Sequence, residues 1–114
     1  MLQKTIFQKI IDRELPAAIR YEDERCIVVE DISPQAPVHL LVIPKKPIPR
    51  LAQLEAQDAE LMGYLFTVIQ KLSTSLGLEE GFRIVINNGP KAGETVPHLH
   101  IHLLGGRTLD WPPG

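Results

Sequence analysis

The chain has 114 residues, 44% of them hydrophobic and 23% charged, which is the composition of one globular domain spanning residues 1–114. Its 12 basic and 14 acidic side chains leave a formal charge of −2, with Lys45–Lys46 the only adjacent basic pair. That balance argues against tracking a nucleic-acid polymer, whereas a single pocket for a small phosphate compound needs few charges.

Cys26 is alone, which excludes an intramolecular disulfide framework, and its neighbours Ile27, Val28 and Val29 mark it as a buried strand thiol. Residues 1–14 intersperse charges among apolar side chains and lack a secretory apolar region. No apolar run approaches the roughly 18 residues of a membrane span. The expectation is a soluble, cytoplasmic protein with no membrane association.

In chain order, Ile6, Phe7, Ile10 and Ile11 have helical spacing, with Thr5 as N-cap and Pro16 beyond the end, so a short helix is predicted over 5–13. Strands are predicted at 18–22 and 25–31, joined by a turn at Asp23–Glu24. A loop with Pro34 and Pro37 leads to a strongly apolar strand at 38–43, in which His39 is the one polar residue. Residues 44–50 contain three prolines and are predicted to be irregular. The long helix is predicted over 55–76, because Leu61, Leu65, Val68, Ile69, Leu72 and Leu76 form an apolar stripe that Gly77 stops. Gly63 within it costs about 1 kcal/mol relative to Ala, which points to a close backbone approach. A fourth strand is predicted at 82–87, then a Gly- and Pro-containing loop at 88–97, then a histidine-bearing strand. The prolines of Trp111-Pro112-Pro113-Gly114 forbid a helix at the end. The fold class expected is α+β: a five-stranded, mainly antiparallel sheet with one long helix and one short N-terminal helix.

Three of the four histidines occupy alternate positions in His98-Leu99-His100-Ile101-His102. On a strand they project from one face, rooted about 6.6 Å apart, while Leu99, Ile101 and Leu103 point to the other. Repeating a titratable group three times gains nothing for packing. Two chemistries use such a ridge. One is a metal site with imidazole ligands, the third being His102 or His39, although no acidic residue lies near in sequence to complete it. The other is nucleophilic attack by one imidazole on phosphorus, with the others orienting and moving protons. Asn87, Gly89, Gly93 and Thr95 upstream offer donors and permissive backbone for an anion, which favours the second.

The run His98-Leu99-His100-Ile101-His102-Leu103-Leu104 resembles the His-φ-His-φ-His-φ-φ motif (φ hydrophobic) of the histidine triad superfamily. Thr5–Ile11, Asp31–Pro37, His39–Lys46, Leu104–Arg107 and the terminal Trp111–Gly114 are similar to its Hint branch, the purine nucleoside phosphoramidases. The resemblance covers essentially the whole chain. It implies that His100 is the nucleophile that takes the nucleotidyl group, and that water then releases the monophosphate. His102 and His39 would line the phosphate site and manage protons, and His98 would orient the nucleophile. Asn87, Gly93 and Thr95 would serve the phosphate and leaving group, Asp31 the ribose hydroxyls, and Ile32, Phe7 and Ile10 the base.

Thr95 stands where serine is expected, Pro97 where bulkier residues are common, and Asn88 where an acid is frequent. These departures bear on substrate preference. Because His102 is not glutamine, as in relatives that transfer nucleotide to a sugar phosphate, hydrolysis is favoured over transfer. The resemblance further implies a homodimer built on the long helix and fourth strand, with Trp111 reaching towards the partner or packing on its own domain. No cofactor is required; zinc is compatible with the cluster without a catalytic role. The alternatives are a zinc-dependent hydrolase and a nucleotide-binding regulatory module with incidental turnover.

Overall fold

The computed structural model describes residues 3–114. Helix α1 spans Ile6–Ile11, and the Thr5 hydroxyl caps it by accepting the Gln8 N–H at 3.1 Å. Strands β1 (Ile19–Glu22), β2 (Cys26–Glu30) and β3 (Val38–Pro44) follow. Helix α2 runs over Ala59–Ser75, then β4 over Phe82–Val85 and β5 over Ile101–Gly105. The five strands lie in the order β1-β2-β3-β5-β4, with every neighbouring pair antiparallel. This is the expected α+β architecture, and no described helix is long and apolar enough to cross a membrane.

Alternation along the central strands gives the sheet two different faces. Val28, Leu40, Val42, Ile101 and Leu103 point to one side, where Met62, Leu65, Val68 and Ile69 of α2 cover them in the main core. Burying each such side chain contributes about 1.5–3 kcal/mol. Ile27, Val29, Leu41 and Ile43 point to the other side, where α1 contributes only Phe7 as a buried residue and Ile10 and Ile11 as half-buried ones. The register pairs Leu41 with His102, and His39 lies on the same strand face as Leu41 and Ile43. The histidines of the strands are thus set on the thinly covered face.

The Gly105–Gly106 pair closes β5 for a steric reason. A Cβ at Gly105 would meet the Leu78 side chain at 2.9 Å, and Gly106 has φ of 91°.

The long helix, β4 and Gly63 differ from expectation. After a 3₁₀ turn at Leu51–Gln53, a second at Ala56–Asp58 replaces the first turn of the long helix. There Glu55 and Asp58 form a capping box, so α2 starts at Ala59. Strand β4 ends at Val85 rather than Asn87, where the chain leaves the sheet edge for a loop with positive φ at Gly89 and Gly93. No atom lies within 4 Å of a Cβ built at Gly63, so no close approach within this chain explains that glycine.

Candidate functional site

Strand β5 begins at Ile101, so His98 and His100 precede it rather than standing on it as expected. The alternation is real, but the bonds holding it are not those of a ladder. The Leu99 N–H donates to Ile48 O at 2.7 Å, in the proline-rich segment after β3, and the His98 N–H donates to Val96 O. Leu99 still enters the main core, so the neighbouring imidazoles turn to the opposite side.

There the rings converge. His100 and His102 have centroids 5.1 Å apart, His102 and His39 5.2 Å apart, and the Phe7 ring packs edge-on against His100 at 4.8 Å. Three of the four histidines, His39, His98 and His100, are buried; His102 is half-buried.

Hydrogen bonding dictates which nitrogen of each ring carries a proton. His100 Nδ1 faces His98 O at 2.8 Å, and a carbonyl can only accept, so Nδ1 is protonated. The neutral His100 ring therefore keeps its lone pair on Nε2. His98 Nε2 likewise donates to Pro44 O at 2.8 Å. His39 Nδ1 accepts the Gln35 N–H at 3.0 Å, which leaves its Nε2–H to donate to His102 Nδ1 at 2.9 Å. His102 in turn carries its proton on Nε2. The pair forms a proton-ordered chain running from a backbone amide through two imidazoles.

Burial sets the charge. It lowers the proton affinity of His102 to about 4, reinforced by the like-charge effect of His100 and His39 and opposed by Asp31. His98 is lowered as well, first by burial, with a smaller contribution from His100 and opposition from its bond to Pro44 O. Both rings are neutral at pH 7.

The remaining candidates surround this centre. Asp31 is half-buried, with Oδ1 accepting the Ser33 N–H at 2.8 Å and Oδ2 3.4 Å from His39 Nε2. It therefore closes its own turn and still presents a carboxylate oxygen beside the histidines. Ile32 is 97% exposed. Phe7 is buried with Ile27, Val29, Leu41 and Ile43, and half-buried Ile10 packs against the same cluster. Asn87 is half-buried, and its amide nitrogen lies 3.9 Å from a Cβ built at Gly93; Gly93 and Thr95 are exposed.

Asp31 was absent from the neighbourhood as read along the chain, yet it is adjacent in space. Asp31, His39 and His102 each offer a donor atom, all within 4.8 Å of one another, a metal-type grouping among the described residues. In this arrangement, however, both nitrogens of His39 are committed, to Gln35 and to His102. An ion held by all three would have to replace the His39–His102 bond.

Sequence reasoning missed the acceptors and donors that orient the rings. Pro44 O, His98 O and the Gln35 N–H are backbone groups, and no side-chain pattern signals them. It also missed the pairing of Arg50 with Glu94 in the loop before Thr95.

The chain belongs to the HIT family: the HIT domain model matches residues 12–109. It is 53% identical over 114 residues, the full length of both chains, to an "uncharacterized HIT-like protein" of Synechocystis sp.. It is 48% identical over 112 residues to a "14 kDa zinc-binding protein" of Zea mays, covering 96% of this chain and 88% of that one. Among solved structures it is similar to a HIT family hydrolase from Legionella pneumophila, with a TM-score of 0.95 and 43% identity over 97% of this chain and all of the other.

Proposed function

We propose that the protein hydrolyses the P–N bond of purine nucleoside 5′-phosphoramidates, or related adenylates, through a nucleotidyl–His100 intermediate. The observation that carries this reading is the fixed tautomer of His100, with Nδ1–H on His98 O and the Nε2 lone pair left available. In the first step Nε2 attacks phosphorus, a P–Nε2 bond forms and the P–N bond to the amine breaks. The amine leaves with the electron pair and takes a proton relayed from solvent through the exposed Thr95 hydroxyl. The positive charge on His100 is met by His98 O, which holds Nδ1–H throughout. In the second step water attacks phosphorus, the P–Nε2 bond breaks, and the proton of the water passes to solvent, while His102 Nε2–H, oriented by His39, donates to a phosphate oxygen. Monophosphate departs and His100 is restored.

Asn87, Gly93 and Thr95 receive the phosphate in this reading, Asp31 Oδ2 the ribose hydroxyls, and Ile32, Phe7 and Ile10 the base side. The 97% exposure of Ile32 suits a side chain that a base covers. No metal takes part, and the protein acts in the cytoplasm as a single HIT domain.

A second copy of the chain completes the assembly. On α2, Gly63, Phe66, Thr67 and Gln70 form an exposed face at helical spacing, and Phe82 is 41% exposed on the edge strand β4. Trp111, 81% exposed, does not pack on its own domain, and a partner can cover it. Light scattering is expected to give twice the monomer mass, and Phe66→Glu to reduce it to one.

The test of the reaction is turnover of an adenosine 5′-phosphoramidate carrying a fluorescent amine, with and without chelator. Hydrolysis that ignores the chelator and is lost in His100→Ala supports the covalent route. Loss of wild-type activity on chelation would instead favour a zinc-dependent hydrolase on Asp31, His39 and His102, the grouping that gives that reading its one structural support. AMP binding without turnover would favour a regulatory binding module.

A further inference from the structure

The segment that ends β3 and follows it, residues 44–53, runs as a strap along residues 88–99, which include the loop proposed to carry the phosphate donors. Four contacts join the two. His98 Nε2–H donates to Pro44 O at 2.8 Å, the Leu99 N–H to Ile48 O at 2.7 Å, and the Ala52 N–H to Asn88 Oδ1 at 2.8 Å. The fourth is the pairing of Arg50 with Glu94, and it is the charged one.

Arg50 Nε lies 3.0 and 3.3 Å from the two Glu94 carboxylate oxygens, and Nη2 adds a bond of 3.0 Å. The same carboxylate accepts the Gly89 N–H at 2.9 Å. The Glu94 side chain is only 7% exposed, so this is a nearly buried carboxylate with both oxygens hydrogen-bonded. Arg50, and then the Gly89 amide, hold its carboxyl below the usual range. Glu94 sits between Gly93 and Thr95, and the Glu94 N–H closes back on Gly89 O at 3.1 Å. The loop is therefore a small ring of hydrogen bonds with positive φ at Gly89 and Gly93, anchored to the strap through one ion pair.

We propose that Glu94, held by Arg50, is a positioning residue that fixes the phosphate end of the nucleotide site. The inference rests on the nucleotide reading given above. A loop with two glycines in positive φ has many alternatives, and donors on it act on an anion only when held in place. Arg50 also neutralises a carboxylate that would otherwise stand unpaired beside the Gly93 and Thr95 donors.

The experiment is calorimetric titration with AMP and with adenosine. Arg50→Leu is expected to weaken AMP about tenfold while changing adenosine by no more than about twofold, because base and ribose contacts lie on other elements. Glu94→Gln still accepts the Gly89 N–H and leaves no unpaired anion, so its loss is smaller. Arg50→Lys keeps the charge, gives up the forked geometry and falls between wild type and Arg50→Leu. The exchanged double variant, Arg50→Glu with Glu94→Arg, is not rescued, because an arginine at 94 cannot accept from Gly89. Equal weakening of AMP and adenosine by Arg50→Leu would mean a merely structural pair and overturn the inference. Unchanged AMP binding in Arg50→Leu would overturn it too, as would full rescue by the exchange. A wild-type protein that binds neither AMP nor adenosine would overturn the nucleotide reading and this role with it.

Discussion

The two faces of one sheet carry different work in this protein. The face under α2 is dry: Leu40, Val42, Ile101 and Leu103 meet a 17-residue helix and form the main core. The opposite face is built from the alternate residues of the same strands, yet its helix, α1, has six residues and contributes Phe7 as its one buried side chain. A short cover leaves part of a sheet face open, and the four histidines gather on that side. Stability and chemistry are thus separated by side-chain alternation, with a single peptide step between Ile101 and His102.

That separation predicts substitutions that move activity without stability and others that do the reverse. The largest effect is on the open face: His100→Ala is expected to lower phosphoramidate turnover by about 10³-fold or more, with the denaturation midpoint nearly unchanged. One position beyond His102, Leu103→Ala on the dry face is expected to cost about 3 kcal/mol in urea denaturation. Its turnover per folded molecule stays near wild type. His39→Ala removes the donor to His102 Nδ1 and is expected to lower kcat about 100-fold with little change in KM.

Much of this division was legible in the sequence. Thr5 as a cap, the apolar stripe of α2 and the alternation in β3 are local signals, and local signals decide helix starts and strand faces. The same alternation extended the histidine strand too far, because His-Leu-His-Ile-His reads identically whether its amides bond a neighbouring strand or Ile48 O in a proline-rich strap. Likewise, nothing local joins Asp31 to His39 and His102, or Arg50 to Glu94. Asp31 meets His39 across the β2–β3 hairpin, and His102 and the Arg50–Glu94 pair come together only once β3 and β5 pair. Gly63 has no intrachain explanation; its place on the exposed face of α2 is where the proposed second copy would sit.

The comparison also has a pH dependence on the histidine face. In the unfolded chain His102 protonates near 6.5, and in the folded protein near 4, with His98 shifted in the same direction. The unfolded state therefore binds more protons between these values, so stability is full above about 6.5 and falls as pH drops towards about 4. Denaturation midpoints measured from pH 7 to pH 4 are expected to decline, and His102→Gln is expected to flatten the decline. The smallest effect belongs to the cover itself: Thr5→Ala removes the α1 cap and is expected to cost about 1 kcal/mol.

The most direct measurement is intact-mass and peptide analysis of protein acid-quenched within milliseconds of mixing with an adenosine 5′-phosphoramidate. Attack by His100 Nε2 predicts a mass increase of one adenylyl group, located on the peptide bearing His100 and absent from His100→Ala. Full amine release by the wild type with no adduct at any quench time, or an adduct carried by another histidine, would contradict the nucleophilic role of His100.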